Sequence, residues 1–587
     1  MGLGEFIMQI KQRQFDEKIV SELVMQGTNP LLARLYAARG VIHQQELSSS
    51  LTEIIPPEQL TNSSEMAKLL ADSIRQNKKL LVIGDYDADG ATATAVAVKG
   101  LRSLGARVDF LVPNRFEYGY GLTPEIVALA STLKPDILIT VDNGIASVDG
   151  VAAANSLGLQ VLITDHHLPA EAKPQAVCIV NPNQHGCTFP SKNLAGVGVM
   201  FYALLALRAE LRNRCTFKDA SGENKAEPNL TELLDLVALG TVADLVKLDA
   251  NNRILVEQGL RRIRAGVCCA GITALLKIAG KSPEKVTAQD LGFYVGPRLN
   301  AAGRLDDMRL GIACLLAETE ADAIQKAQTL HQLNMERRNI EADMQDTALN
   351  ALESIDVTDN FSLSIYNADY HQGVIGILAS RLKEKYHRPA LVFAGAGQDE
   401  KGRRVIKGSG RSIANLHLRD ALDLVTKRQP QLIIKFGGHA MAAGLSILES
   451  DFLAFQQAFD KVARELLTAA DLQAVIETDG GLNVNEMNLQ TAQMLATQVW
   501  GQGFAPPLFY DDFKVINQRI VGEKHLKLVL EKVGYGKEQK REDLKRYDAI
   551  YFNCTEVSSG AVSVVYALEV NEYRGLQTLQ LQVKLIK

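Results

Sequence analysis

Three aspartates that follow a short apolar segment near residue 80 constrain the fold more than any other feature of the sequence. Residues 80–83 are Leu-Leu-Val-Ile, a run typical of a strand buried in a parallel sheet. Asp85, Asp87 and Asp89 come directly afterwards, and residues 91–104 have the pattern of a helix. This order predicts carboxylates at the carboxyl end of a strand, where open α/β sheets bind their ligands.

Carboxylates placed so closely repel one another. Two like charges about 4 Å apart repel by about 4 kcal/mol at an effective dielectric constant near 20. Bound cations would remove this repulsion, and carboxylate oxygens are the ligands that Mg²⁺ and Mn²⁺ prefer. The alternative is a solvated acidic turn, because aspartate is common in loops.

The same pattern recurs later in the chain. Further ligand-type side chains follow the strand-like runs 137–141 and 161–164 or the apolar segment 233–239: Asp142, Asp165, His166, His167 and Asp244. Turn preference alone explains such repetition poorly, so we expect these side chains to converge at one edge of a sheet. Many carboxylates with one or two imidazoles and no thiolate suit two Mn²⁺ or Mg²⁺ ions better than structural zinc.

The region around these motifs predicts an α/β fold. Between residues 79 and 190, helix-like segments separate five apolar runs: 80–83, 108–112, 137–141, 161–164 and 177–180. Alternation of this kind is typical of a doubly wound parallel sheet. The segment before residue 62 has a helical pattern that is interrupted at Pro56 and Pro57.

The rest of the chain suggests further domains. Residues 312–372 contain neither glycine nor proline and keep helical spacing, which predicts long helices between two lobes. Three glycine-rich segments, starting at His371, Gly408 and Gly437, could let backbone N–H groups approach an anion.

The last part, from about residue 476, alternates in short strands and predicts a small β-barrel of the OB-fold kind. A local nucleic-acid face is one interpretation of its basic and aromatic residues, and a solvated charged face is the alternative. The candidates for that face are Lys524, Lys527, Lys532, Lys537, Phe509 and Tyr535.

Composition narrows the class of protein. With 587 residues the chain exceeds one ordinary core, so we expect three or four domains. Its net charge of −5 excludes a generally basic surface, so a polyanion would have to bind locally. Seven scattered cysteines favour reduced thiols and a cytoplasmic setting, and no apolar run predicts a leader or a membrane span.

The ordered set of motifs resembles the RecJ-type single-stranded-DNA-specific exonucleases of the DHH phosphoesterase superfamily. The resemblance rests on the motifs 85–90, 142–144, 165–167 and 243–244, and on the segments 295–304, 371–376, 437–444 and 571–575. It implies an N-terminal helical segment (1–62), a DHH domain (63–270), a helical connector (271–355), an α/β DHHA1 domain (356–470) and an OB-fold (471–587).

The resemblance also implies roles for individual residues. One metal ion would be held by Asp87 and Asp142, with Asp85 at or just behind it. The second would be held by Asp89, Asp142, His166 and Asp244, with Asp142 bridging. His167, Asp165 and His439 would serve catalysis, with His167 near the scissile phosphate. The 5′-phosphate would be gripped by Arg115, Ser409 and Arg411, and the substrate path would be lined by Arg298, Asn300, Arg304, His371 and His439.

The function implied by the resemblance is stepwise release of 5′-mononucleotides from the 5′ end of single-stranded DNA, in recombination and repair. A monomer that works with a helicase and a single-strand-binding protein would fit it. Two alternatives remain. One is a DHH-type phosphodiesterase for short oligoribonucleotides, cyclic dinucleotides or pyrophosphate. The other is a catalytically inactive single-strand-binding scaffold for replication.

Overall fold

The computed structural model describes residues 8–118, 121–218, 226–353, 359–533 and 545–587. The chain forms two compact units. The larger comprises residues 12–331 and 478–587, and the smaller comprises residues 1–11 and 332–477. None of the helices in the described ranges has both the length and the hydropathy needed to cross a bilayer. All seven cysteines carry free thiols.

The described part of the N-terminal segment contains one strand, two α-helices and three 3-10 turns. Its elements are β1 (Gln9–Gln12), α1 (Glu17–Met25) and α2 (Pro30–Ala37), followed by three short 3-10 turns. The N-cap Asn29 accepts hydrogen bonds from the N–H groups of Leu31 and Leu32, and Pro30 occupies the first helical position. Arg39 pairs with the buried Asp479 at 2.9 Å, which fastens this segment to the chain that leads into the C-terminal barrel.

The predicted doubly wound parallel sheet is confirmed. Its elements are α3 (Ser63–Arg75), β2 (Lys79–Gly84), α4 (Ala88–Ser103), β3 (Arg107–Leu111), α5 (Arg115–Tyr118), α6 (Pro124–Ser131), β4 (Ile137–Val141), α7 (Val148–Ser156), β5 (Gln160–Thr164), β6 (Cys178–Val180) and α8 (Gly196–Asn213). The strand order is β3-β2-β4-β5-β6, and every neighbouring pair is parallel.

Helices cover both faces of this sheet. Leu81 and Ile83 point into a core shared with α6 and α7. Successive strand residues alternate between faces, so Gly84 points the other way, where a Cβ atom would meet the Thr94 hydroxyl of α4 at 2.2 Å. The helix that follows β2 thus packs on one face of the sheet, and the helix that precedes β4 packs on the other. In such sheets the ligand site is expected in the crevice at the carboxyl ends of these two neighbouring strands.

Helices follow the sheet. They are α9 (Leu234–Ala243), α10 (Ala250–Arg264), α11 (Ala270–Ile278), α12 (Ala288–Asp290), a π-helical turn (Leu291–Val295), α13 (Gly296–Leu305), α14 (Arg309–Leu315) and α15 (Glu320–Glu353). The predicted long helix is confirmed by α15, which has 34 residues and contains the point where the chain passes from the larger unit to the smaller.

The smaller unit has a mixed sheet between helices. Its elements are β7 (Leu363–Tyr366), α16 (Ile375–Tyr386), β8 (Ala390–Gln398), β9 (Arg404–Arg411), α17 (Leu418–Arg428), β10 (Lys435–Gly438), β11 (Ala442–Leu448), α18 (Phe452–Leu466) and β12 (Val475–Thr478). The strand order is β10-β11-β9-β8-β7. Alternate residues of β8 enter two cores: Leu391 and Phe393 join α17 and α18, while Ala390 and Val392 join α16.

The C-terminal strands close into the predicted barrel. The elements are α19 (Leu489–Ala496), β13 (Phe509–Val521), β14 (His525–Lys532), β15 (Arg546–Tyr551), β16 (Ala561–Tyr573) and β17 (Leu576–Ile586). The barrel order is β13-β14-β15-β17-β16, and only the β15–β17 pair is parallel. Five strands in this arrangement are typical of an OB-fold.

Candidate metal centre and anion site

Two of the acidic residues lie on either side of the crossover in the larger unit. Asp85 follows β2 and Asp142 follows β4, and both side chains are buried. Asp142 has a left-handed backbone (φ 62°), which turns the chain sharply at the strand end. The Asn143 side chain donates to the carbonyls of Ile83 at 3.1 Å and Val141 at 2.9 Å, so it ties the two strand ends together.

The first turn of α4 holds two more carboxylates. We predicted a helix over residues 91–104, but α4 begins at Ala88 because Asp87 caps it and accepts a hydrogen bond from the Gly90 N–H at 3.0 Å. Gly90 is required at this point, since a Cβ atom there would lie 2.6 Å from the Asp85 carbonyl oxygen. Asp89 is thereby placed inside the helix and is almost fully buried.

The N-terminus of a second helix, α8, lies against this first turn of α4. The backbone N–H groups of Gly196 and Val197, which begin α8, donate to the Asp89 carboxylate at 2.6 and 3.0 Å. A helix N-terminus stabilises negative charge, so α8 partly offsets the burial of Asp89. Gly196 also lies against Asp142, whose Oδ1 would be 2.5 Å from a Cβ atom on the glycine.

His166 is the point at which the carboxylates meet. Its Nε2 lies 3.2 Å from Asp142 Oδ1, 3.5 Å from Asp244 Oδ2 and 4.0 Å from Asp89 Oδ2. Asp244 reaches this position from the C-cap of α9. The Asn183 side chain holds the histidine segment in place, because it donates to the His166 carbonyl at 2.6 Å.

Three groups of side chains have ligand atoms close enough to hold a metal ion. Within each group the ligand atoms lie within 4.8 Å of one another. The groups are Asp85 with Asp87 and Asp142, Asp89 with His166 and Asp244, and Asp142 with His166 and His167. Asp142 belongs to two of them, so its carboxylate is shared between two groups of ligand atoms.

The electrostatics of the cluster favour cations. Burial, and then the charges of its acidic neighbours, raise the pKa of Asp142 well above its usual range. The same causes raise the pKa of Asp244, and burial with the charge of Asp87 raises that of Asp89 to about 7. Within the described chain, no lysine or arginine pairs with Asp87, Asp89, Asp142 or Asp244. Protons or divalent ions must therefore neutralise the cluster, and this hard-oxygen donor set fits Mn²⁺ or Mg²⁺.

Asp165 has a different environment from the other acids. Its Oδ1 accepts from the N–H groups of His166 and His167 and lies 2.7 Å from His167 Nδ1, while Oδ2 accepts from the Ile145 N–H. Burial alone would raise the pKa of Asp165, but the His167 hydrogen bond and charge lower it overall. For His167, burial opposes the charged form, yet the bond to Asp165 raises its pKa to about 9. These contacts support a positioning role for Asp165.

The predicted substrate-path residues of the larger unit lie on α13. Asn300 accepts a hydrogen bond from the Ala88 N–H at 2.8 Å, so it contacts the first turn of α4. Gly303 allows this approach, because a Cβ atom there would lie 1.9 Å from the Tyr86 carbonyl oxygen. Arg298 is buried and donates to the Tyr294 carbonyl, and Arg304 lies near the end of the same helix.

The smaller unit brings Ser409 and Arg411 together at the start of α16. Arg411 Nη1 donates to Ser409 Oγ at 3.2 Å, and a Cβ atom on Gly376 would meet both side chains within 3.0 Å. Burial lowers the pKa of Arg411, and no carboxylate of the described chain forms an ion pair with it. A half-buried guanidinium without a carboxylate partner in the described chain, beside a helix N-terminus, is suited to an anion.

The two predicted histidines of the smaller unit lie in turns. His371 precedes α16, and its Nδ1 accepts from the Gly373 N–H at 3.1 Å. His439 belongs to the turn between β10 and β11, where its N–H donates to the Ala442 carbonyl. Ala442 is the strand partner of Arg411. Arg115 begins α5 in the larger unit, and its side chain lies outside the described part of the structure.

The predicted nucleic-acid face of the barrel is wrong for two of its residues. Phe509 is fully buried, and Lys532 is buried in an ion pair with Asp511 at 2.8 Å, so neither is available for stacking or phosphate contact. Lys524 is exposed, and Lys527 pairs with Asp548 at 3.5 Å. Tyr535 and Lys537 lie outside the described residues.

Comparison with known proteins agrees with this architecture. Residues 79–241 match the DHH family, N-terminal domain, residues 359–465 match the DHHA1 domain, and residues 478–585 match the RecJ OB domain. Proteins named single-stranded-DNA-specific exonuclease RecJ from Salmonella typhimurium and Escherichia coli are each 48% identical to this chain, with 98% of both chains covered. The chain belongs to the RecJ family.

RecJ proteins of lower sequence identity match as well. The Bacillus subtilis RecJ is 32% identical over 98% of this chain and 70% of its own length. The crystal structure of Thermus thermophilus RecJ in complex with Mn²⁺ has a TM-score of 0.80 and 27% identity, covering all of this chain and 80% of that one. The RecJ complex with Mg²⁺ from the same organism has a TM-score of 0.75 and 26% identity, covering all of this chain and 79% of that one.

Proposed function

We propose that this RecJ family member is a metal-dependent exonuclease that degrades single-stranded DNA from the 5′ end and releases 5′-mononucleotides. The observation that carries the proposal is the buried cluster in which Asp142 links two groups of ligand atoms. The names of the curated relatives support the substrate, and the solved RecJ complexes with Mn²⁺ and Mg²⁺ support the cofactor.

Two divalent cations would be held by separate parts of the cluster. Asp85, Asp87 and Asp142 would hold one, and Asp89, Asp142, His166 and Asp244 would hold the other. Such a pair lowers the pKa of water, neutralises phosphoryl oxygens and stabilises the leaving oxygen. The protein orients the ligands: Asn143 fixes the strand ends, α8 orients Asp89, and Asn183 anchors His166.

His167 would act on the phosphate through a fixed imidazole ring. Asp165 engages Nδ1 at 2.7 Å, which orients the ring and favours its protonated form. A protonated imidazole can donate a hydrogen bond to a phosphoryl oxygen, where negative charge develops in the transition state. Asp165 touches no substrate in this account and works through His167.

The 5′ direction would come from a dedicated site for the terminal phosphate. Arg411 and Ser409 provide a guanidinium and a hydroxyl beside the first turn of α16. A terminal phosphate carries more charge than an internal one, so it gains more from a half-buried guanidinium. Asn300, Arg298, Arg304, His371 and His439 would contact the strand. A helicase and a single-strand-binding protein are the partners that this function suggests.

The test is a directional assay with single strands labelled at either end, incubated with Mn²⁺, Mg²⁺ or EDTA. The proposal expects 5′-mononucleotides to appear first from the 5′ end with either metal, and no product in EDTA. The Asp142→Ala variant should bind the strand without cutting it. Release from the 3′ end, or equal cleavage in EDTA, would contradict the proposal.

The same assay separates the alternatives. A DHH-type phosphodiesterase for short substrates would hydrolyse a dinucleotide faster than a long strand. The closed C-terminal barrel argues against that activity. An OB-fold binds several nucleotides of a single strand, and an enzyme for dinucleotides does not need such a domain. An inactive scaffold would bind without hydrolysis, yet every predicted ligand of the larger unit is present in the cluster.

A further inference from the structure

An aromatic side chain is largely exposed in a turn that packs against the end of α9, the helix that leads to Asp244. Phe293 is 75% exposed, and it lies in the π-helical turn Leu291–Val295. A single exposed apolar side chain is normal on a protein surface, so it is the place of this ring in the fold that suggests a binding role. π-Helical turns are rare and frequently occur at functional sites.

The turn that carries Phe293 packs against the helix that delivers Asp244. A Cβ atom on Gly292 would lie 3.2 Å from Val242 Cγ1, and one on Gly296 would lie 3.2 Å from Ala243 Cβ. Val242 and Ala243 directly precede Asp244 at the end of α9. The two glycines therefore let the backbone on either side of Phe293 approach the last turn before a proposed ligand.

The turn is held firmly from both sides. Lys281 Nζ lies 4.1 Å from the centre of the Tyr294 ring and 2.9 Å from Asp290 Oδ1. The Arg298 guanidinium donates to the Tyr294 carbonyl. Leu291 and Val295 are fully buried, so the outward direction of Phe293 is set by residues on either side of it.

Other apolar side chains are exposed beside the cluster. Leu245, which follows Asp244, is 68% exposed and has a left-handed backbone (φ 60°). Leu168, which follows His167, is 59% exposed. Apolar groups at the edge of an acidic, metal-binding pocket cannot attract phosphates, but they can contact the faces of bases.

We propose that Phe293 is a stacking platform for a nucleobase of the single strand next to the metal centre. This inference rests on the proposed function and adds the residue that grips a base while the cluster acts on the phosphate. Stacking on an aromatic ring tolerates every base, so it holds a strand without selecting its sequence. The paired bases of a duplex already stack on their neighbours, so the platform favours unpaired strands.

The experiment compares Phe293→Ala, Phe293→Trp and the control Leu157→Ala, which removes another exposed apolar side chain, 56% exposed, next to α7. We expect KM for single-stranded DNA to rise about 5- to 100-fold in Phe293→Ala and to stay near the wild-type value in the other two. Strands with a single abasic site, moved stepwise from the 5′ end, locate the stacked base. One position should raise KM for the wild type and have no further effect in Phe293→Ala.

A binding measurement keeps this inference separate from the proposed function. Strands with 2-aminopurine at the position found, or at each position in turn, are titrated with protein in EDTA and their fluorescence is followed. Quenching by the wild type and Phe293→Trp, but not by Phe293→Ala, supports stacking even if no hydrolysis is found. Equal KM and equal quenching for Phe293→Ala and the wild type would overturn it.

Discussion

Gly196 lies so close to Asp142 that a Cβ atom on the glycine would fall 2.5 Å from both Cβ and Oδ1 of the aspartate. The same glycine donates its N–H to Asp89 at 2.6 Å. One residue at the start of α8 thus sets the distance between two proposed ligands that stand on different elements. Glycine is required there for close approach and not for backbone conformation.

Gly196→Ala should therefore inactivate the enzyme without unfolding it. The added methyl group pushes the Asp142 carboxylate away from the cluster, and a ligand displaced by about 1 Å can reduce kcat by about 100-fold. The matched control is Gly198→Ala in the same helix, where the Cβ atom would meet only the flexible end of Leu194 at 3.2 Å. Steady-state kinetics in Mn²⁺ measure the difference, and equal kcat values for the two variants would contradict the bridging geometry.

The Asp165→Asn variant tests the positioning of His167. The amide keeps the size of the side chain but removes the charge that raises the pKa of His167 to about 9. In the metal-free protein, NMR titration should show the pKa of His167 falling toward 6.5, the ordinary value. We expect kcat to fall about 10- to 100-fold, as is usual when a supporting hydrogen bond at a metal site is lost. An unchanged pKa would show that Asp165 does not control the ring.

The buried acids predict how pH and metal ions act together on stability. Burial and the Asp87 charge raise the pKa of Asp89 from 3.8 to about 7, so the folded metal-free protein holds protons that the unfolded chain has already released. Its free energy of unfolding should consequently decline as pH rises from about 4 through 7.

Mn²⁺ replaces those protons, so its stabilising effect should grow with pH. Thermal unfolding with EDTA or saturating Mn²⁺, at pH 5.5 and pH 8, measures the Mn²⁺-induced rise in Tm. We expect a larger rise at pH 8, and a smaller dependence on pH in Asp244→Asn, whose amide does not titrate. A rise of the same size at both pH values would argue against cations bound by these carboxylates.

Arg411→Ala should impair the use of 5′-phosphorylated strands selectively. Because the guanidinium has no carboxylate partner in the described chain, its loss removes attraction for a terminal phosphate without freeing a buried acid. KM should rise about 10-fold or more for phosphorylated ends and little for hydroxyl ends. The control is Arg404→Ala on the same strand, an exposed residue 3.5 Å from Glu449. An equal loss on both kinds of end would contradict the phosphate role.

The sequence predicted the cluster because each strand-end ligand stands next to its own apolar run. Asp142 directly follows the apolar run 137–141, and His166 lies two residues after the run 161–164. A short stretch of sequence was therefore enough to identify both the ligand-type side chain and the end of the strand. The contacts that orient these ligands were not visible. Gly196 and Asp89 are 107 residues apart, and Asn300 and Ala88 are 212 apart, and no local pattern records such pairs.

The barrel shows another limit of local patterns. Alternation in the last part of the chain correctly predicted strands, such as β13, but it did not show which side chains point into the barrel. We therefore predicted Phe509 and Lys532 to lie on the surface. Phe509 is instead fully buried, and Lys532 pairs with the buried Asp511. A buried lysine is rare unless an acid neutralises it, and the sequence did not identify that acid.

Whether Asp142 bridges two bound cations can be seen in an anomalous difference map from crystals soaked in Mn²⁺. We expect two peaks about 3.5–4 Å apart, the spacing of two-metal sites, with the Asp142 carboxylate between them. Asp85 and Asp87 should contact one peak, and Asp89, His166 and Asp244 the other. A single peak away from Asp142, or no peak within reach of these carboxylates, would contradict the account.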